Sequence, residues 1–201
     1  MVIKKSIFYD STSGSGSIYL RGFKNVDIEQ SMFEKCRSLS KEAYGGGGAI
    51  GIQPGLKKGI FFIKNCLFLN NSARKFGGAM LVRKGLKTDI RIKYRTQIHV
   101  KDSLFIKNEA TRSGQSILIE GNTKEIRNVT ILSQTKNDAD ILHAVGAKIS
   151  VIHLKIEMST AGVVRNTMRK AVITLKSGMS MSHFDQVEYR CPKSFKSIND
   201  H

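Results

Sequence analysis

Between Gly59 and Val82 the chain reads GIFFIKNCLFLNNSARKFGGAMLV, and the stretches on either side repeat that pattern. Phe62, Cys66 and Phe68 lie in an apolar-rich run of strand character, Asn70 and Asn71 mark a turn, and Gly77-Gly78-Ala79-Met80 opens a second strand. Val26 to Cys36 places Ile28, Ser31, Phe33 and Cys36 where this unit has Ile63, Cys66, Phe68 and Asn71. Ile98 to Asn108 places Val100, Ser103, Phe105 and Asn108 there, and Ile3, Ser6, Phe8 and Ser11 fit more loosely. Each of these segments leads into a small-residue step: Gly16-Ser17-Ile18, Gly48-Ala49-Ile50, Gly78-Ala79-Met80 and Gln115-Ser116-Ile117. The phenylalanines fall at 8, 33, 68 and 105, so the units are 25, 35 and 37 residues apart. A fifth, degenerate unit follows with Ile131 in the Phe position.

A unit this short cannot bury its own apolar face, so stacked copies have to bury it jointly. Stacking predicts an interior column of Phe8, Phe33, Phe68 and Phe105 beside a ladder of Ser6, Ser31, Cys66 and Ser103. Glycine and alanine suit the points where the backbone bends sharply against its neighbours. Short strands, frequent turn signals and no useful helical period predict an all-β chain, a parallel β-helix or solenoid. An antiparallel sandwich or barrel has similar strand content but does not require matched units.

The paired F-x-x-N and G-G-A-[ILM] signatures resemble the repeats of chlamydial polymorphic outer membrane proteins, and similar repeats occur in protist surface proteins. The matches are Phe68-Leu69-Asn70-Asn71 with Gly77-Gly78-Ala79-Met80, Gly47-Gly48-Ala49-Ile50, and Phe105-Ile106-Lys107-Asn108. Phe33-Glu34-Lys35-Cys36 departs from the first signature and Ser113-Gly114-Gln115-Ser116-Ile117 from the second. The resemblance covers about residues 1 to 120. It implies a right-handed parallel β-helix of pectin-lyase-like type, an adhesive or structural role at the cell surface or outside the cell, and no catalytic residue. The repeat residues it singles out are Phe33, Phe68, Asn71, Gly77, Gly78, Phe105 and Asn108.

The 201 residues suit one domain with a sizeable core. The expected division is 1–180 as repeat units and 181–201 as a degenerate unit or C-terminal tail. No apolar run is long enough to cross a bilayer, and MVIKKSIFYDSTS has no apolar segment of a secretory signal. The chain opens directly in a repeat without a polar cap, and solenoids need capped ends, so a piece of a larger protein is expected. Three cysteines, Cys36, Cys66 and Cys191, do not make a self-contained disulfide framework, and buried free thiols are the simpler expectation. Two sequons, Asn70-Asn71-Ser72 and Asn128-Val129-Thr130, bear only on a secreted eukaryotic product.

Charge is unevenly placed. Lys and Arg number 33 against 16 Asp and Glu, and 14 of the bases but only 3 of the acids lie between Lys57 and Arg112. Within Arg83 to Arg95, Ile90, Ile92 and Tyr94 alternate with Arg91, Lys93 and Arg95, the period of a half-buried strand with a basic outer face. Lys84, Lys87, Arg91, Lys93 and Arg95, with Lys64 and Lys101 beside them, are the candidate surface for anionic ligands such as acidic glycans or host cell-surface molecules. Nucleic acid is the weaker partner, since neither a recognition helix nor an aromatic single-strand platform is legible.

The remaining chemistry-bearing residues have plainer explanations. The glycines 45–48 precede no G-K-[ST], so they read as a corner rather than a phosphate cradle. Arg91-Ile92-Lys93 also occurs as a motif in polygalacturonases, but the paired aspartates that hydrolysis needs are missing beside it. Asp138, Asp140 and His143 match no standard metal loop and suit a polar turn; His143 and His153 have no identifiable partner. These observations predict no metal, no cofactor and no catalytic residue. The expected function is a non-catalytic, adhesin-like binding scaffold; a polysaccharide lyase or hydrolase of the same fold is the alternative.

Overall fold

The computed structural model describes residues 1–41, 46–53, 59–83, 97–112, 114–120, 125–133, 140–145, 148–158, 163–167, 172–177 and 180–182, with side chains through residue 132 and at Leu142. The described residues contain strands and no helix, and every strand pairing among them is parallel. Three sheets result, of eleven, four and six strands. An antiparallel sandwich or barrel is therefore ruled out.

The chain passes through the sheets in a fixed order, and each strand pairs with its counterpart one unit away. In the first level, Val2–Lys4 and Ile7–Tyr9 belong to the first sheet, Thr12–Ser13 to the second and Ile18–Arg21 to the third. The next levels repeat this with Asn25–Glu29, Met32–Glu34, Arg37–Ser38 and Ile50–Gln53, then with Ile60–Lys64, Leu67–Leu69, Ser72–Ala73 and Met80–Val82. In the fourth, Gln97–Ile106 runs the full width of the first sheet, followed by Glu109–Ala110 and Ile117–Glu120. Beyond it, Glu125–Ser133, Lys148–Met158 and Val172–Ser177 continue the first sheet and Asp140–Val145 and Val163–Thr167 the third. Three of these strands overlap the segments expected at Val129 to Leu132, Ala147 to Lys155 and Ala171 to Leu175.

The pairing register is that of the sequence repeat: Phe8 opposes Phe33, Phe33 opposes Phe68, Phe68 opposes Phe105, and Phe105 opposes Ile131. Alternate side chains turn inward, so Ile28, Ile63, Val100 and Ile126 form one buried column and Ile50, Met80 and Ile117 another. Burying each such side chain contributes about 1.5–3 kcal/mol. The run holding Phe62, Cys66 and Phe68 is two strands broken at Asn65, and Phe62 points outward, 42% exposed.

Candidate functional site

The interior is the most regular part of the molecule. The rings of Phe8, Phe33, Phe68 and Phe105 stack at centroid separations of 4.8, 5.0 and 4.5 Å, within 8° of parallel. Strand spacing in a sheet, about 4.8 Å, sets that distance, so the parallel stacking follows from the register. Two polar ladders flank it. The hydroxyls of Ser6, Ser31 and Ser103 and the thiol of Cys66 each donate to the carbonyl two residues earlier. The Cys66 N–H in turn donates to Ser103 Oγ at 3.2 Å. In the second ladder, Asn71 Oδ1 accepts from the Cys36 N–H at 3.0 Å, while Asn71 Nδ2 donates to the Phe33 carbonyl and to Asn108 Oδ1. Asn108 repeats the arrangement one level on, accepting from the Asn71 N–H and donating to the Phe68 carbonyl. Cys36 and Cys66 are buried free thiols. Burial holds the Cys66 thiol above its ordinary value.

The bends beside these ladders use left-handed backbone. Lys5, Gln30, Asn65, Asp102 and Asn128, in register with one another, have φ between 47° and 52°. Asp10, Lys35, Asn70 and Lys107 form a second such column, with φ between 45° and 53°. Asn and Asp tolerate this conformation, which the sequence signals at Asn65, Asn70 and Asn128; Lys and Gln carry no such signal. The glycine step has a different cause. A Cβ on Gly48 would run into the Ser72 backbone and the Gly78 carbonyl, and one on Gly78 into the Glu109 and Gln115 carbonyls. The glycines are needed because the second-sheet strand of the next level crosses over them. At Gln115 no further second-sheet strand follows among the described residues, and a side chain fits.

Between the two halves of the first sheet lies an open groove of about 650 Å³. Ile7, Met32, Leu67 and Leu104 line it beside the left-handed column of Lys5, Gln30, Asn65 and Asp102, with Cys66 beneath. Its one carboxylate, Asp102, accepts from Asn128 Nδ2 at 2.8 Å. Among the described residues no group of three or more His, Cys, Asp or Glu could hold a metal ion. Asp138 lies outside the described residues; Asp140 and His143 lie in a strand of the third sheet.

Lys84, Lys87, Arg91, Lys93 and Arg95, the ligand-binding candidates, lie outside the described residues. Lys64 and Lys101, from the same candidate surface, stand on the outward face of the first sheet, where charges of both signs mix. Lys4 pairs with Glu29 at 3.0 Å and Lys101 with Glu125 at 3.5 Å. The Lys4 ammonium bonded to Glu29 lowers that carboxyl, and the carboxylate raises the lysine. Arg83 opposes Glu120 at 3.7 Å and lies over the Phe76 ring.

A different basic face emerges on the second sheet, where Arg37, Arg74 and Arg112 are exposed on three successive levels, with Lys41, Lys75 and Lys107 around them. Sequence reasoning missed it because its members come from three units. The available signal was the recurrence of a basic residue two and seven positions after a column Phe, at Lys35, Lys75, Lys107 and Arg112. Comparisons with protein families, curated proteins and solved structures found no match to this chain.

Proposed function

We propose that the protein is a right-handed parallel β-helix that serves as a non-catalytic, adhesin-like scaffold at the cell surface or outside the cell, with a basic face for anionic ligands. The observation that carries this reading is the repetition of one internal chemistry across four levels. Phe stacks on Phe and hydroxyl or thiol follows hydroxyl through all four, and between the third and fourth Asn bonds to Asn at matched register. A core built this way commits its interior polar groups to holding the bends and leaves its ligand chemistry to outward side chains. The resemblance to the repeats of chlamydial polymorphic outer membrane proteins supports the same assignment. It rests on the Phe68 to Asn71 and Gly77 to Met80 signatures and their neighbours. Handedness follows the general preference of parallel crossover connections for the right-handed sense.

The test is a titration of the purified chain with an acidic polysaccharide at increasing salt, following binding together with new unsaturated or reducing ends. Salt-sensitive binding without product is the expected result. Product formation would replace the scaffold reading with the polysaccharide lyase or hydrolase. The absence of both would remove the anionic-ligand half of the proposal and leave the structural role.

A further inference from the structure

We infer that the exposed row of cations on the second sheet is a binding track for a linear acidic polysaccharide, with Arg37, Arg74 and Arg112 as its principal contacts. This rests on the scaffold reading above and gives that scaffold a specific ligand surface, on a different connection from the Arg83 to Arg95 segment. The track lies on the second-sheet strands and the residues just after them, whereas Arg83 to Arg95 falls in the sequence between a third-sheet strand and a first-sheet strand.

Register puts the track together. Arg37–Ser38, Ser72–Ala73 and Glu109–Ala110 are paired side by side, the Arg74 N–H donates to the Ser38 carbonyl, and the Arg112 N–H donates to the Lys75 carbonyl. Ser38, Ala73 and Ala110 turn inward, so their neighbours face solvent. Over residues 35–41, 70–76 and 107–112 there are seven basic side chains and one acidic one, Glu109. That balance differs from the first sheet, where Glu29 and Glu125 neutralise their lysines. Levels are about 4.8 Å apart, and Arg37 opposes Ser72, which opposes Glu109, so the charges climb the stack as a slanted row, with Arg74 and Arg112 two and three positions past those counterparts. A rigid row complements a ligand with anions at regular intervals, and a guanidinium presents a planar donor fork that fits carboxylate or sulfate oxygens. Single-stranded nucleic acid would want aromatic faces between the charges. Two rings adjoin these cations, Tyr9 at the first level with Lys35 over it and Phe76, half-buried with Arg83 over it, and residues 70–75 and 107–112 add no aromatic between the arginines. A bilayer surface would want an apolar face to insert, and Leu39 is the one large apolar side chain exposed in the track.

The experiment compares the full chain with two variants, Arg37→Gln/Arg74→Gln/Lys75→Gln/Arg112→Gln and Lys84→Gln/Lys87→Gln/Arg91→Gln/Lys93→Gln/Arg95→Gln. Each is titrated with dextran sulfate, polygalacturonate, single-stranded DNA and phosphatidylserine vesicles, after circular dichroism has shown an unchanged fold. The expected result is about tenfold weaker polysaccharide binding and a shallower salt dependence for the first variant, and a change within about twofold for the second. Comparing dextran sulfate with polygalacturonate tells whether sulfate or carboxylate is preferred. The reverse pattern, or equal weakening of both, would overturn the track while leaving the anionic-ligand reading intact. Tighter binding of DNA or vesicles than of either polysaccharide would overturn the glycan assignment. No binding of either polysaccharide by the unaltered chain would overturn the reading on which the track rests.

Discussion

At the scale of single residues, the interior columns carry the sharpest consequences. Phe68 has no exposed surface and a ring on each face. Phe68→Ala is expected to destabilise the protein by about 3–5 kcal/mol, whereas Phe8→Ala, at the half-buried end of the stack, should cost distinctly less. Chemical denaturation of the two variants checks the difference. Asn71 is as deeply buried, but its role is polar. Removing its amide strands the Cys36 N–H and takes a donor from the Phe33 carbonyl, at about 1–3 kcal/mol each, while Asn108 Oδ1 keeps only the Asn71 N–H. Asn71→Leu, which keeps the volume, should therefore be at least as harmful as Phe68→Ala, and near-neutral stability for it would dismiss the ladder as a source of stability. Cys66 gives a pH signature. Burial raises its thiol above 9.0, so the folded protein holds a proton that the unfolded chain releases. Stability from this group is complete below pH 9 and falls as pH rises beyond it. Cys66→Ser, matching Ser31 and Ser103 in the same ladder, should lose this part of the alkaline decline, as thermal melts at pH 8 and pH 10 would reveal.

At the scale of elements, bends matter more than strands. A strand of two residues, such as Ser72–Ala73, cannot hold its own position. Its place is set by Asn71 before it and Gly77-Gly78 after it. Gly78→Ala drives a Cβ into the carbonyls of Glu109 and Gln115, backbone atoms that cannot swing aside. A loss of about 2 kcal/mol or more is expected, against a change within about 0.5 kcal/mol for Gly14→Ala, where nothing lies within 4 Å. Equal effects in unfolding experiments would refute the crossing-strand explanation. The left-handed columns make the opposite prediction. Gln30 is exposed at φ 49°, so Gln30→Gly should be neutral or stabilising, and Gln30→Val should cost about 1–2 kcal/mol.

For the whole molecule, stability should be distributed along the stack. Each level touches only the levels beside it, so stability is close to a sum of level and interface contributions. The amides of Leu67 and Leu104, bonded to the carbonyls of Ser31 and Cys66 inside the stack, should exchange with solvent more slowly than the amides of residues 2–9 at its edge. Uniform exchange across the levels would show that the molecule opens as one cooperative unit instead. The binding track belongs to this scale as well, because no single level supplies more than part of it.

The repeat in the sequence was sufficient for the strand class, the pairing partners and much of the interior. A Phe followed three residues later by Asn, Cys or Ser recurs 8 to 15 residues before a small-residue step, and stacked copies have few ways to bury such a column. The register of Phe8, Phe33, Phe68, Phe105 and Ile131 was legible for that reason. What only the tertiary structure decided was everything that depends on levels meeting in space. Left-handed conformations at Lys5, Gln30, Lys35 and Lys107 come from alignment with neighbouring bends, a force that local propensity does not encode. The outward turn of Phe62 follows from the break at Asn65, which the unbroken apolar run conceals. The cationic row of Arg37, Arg74 and Arg112 joins residues 37 and 38 positions apart, brought to successive levels because one turn of the chain returns to a strand spacing of about 4.8 Å, with Arg74 and Arg112 two and three positions past the counterparts of Arg37. Repetition declares what lies inside, where every unit must satisfy the same packing. The outer surface is free to vary from unit to unit, so its patterns exist only after stacking.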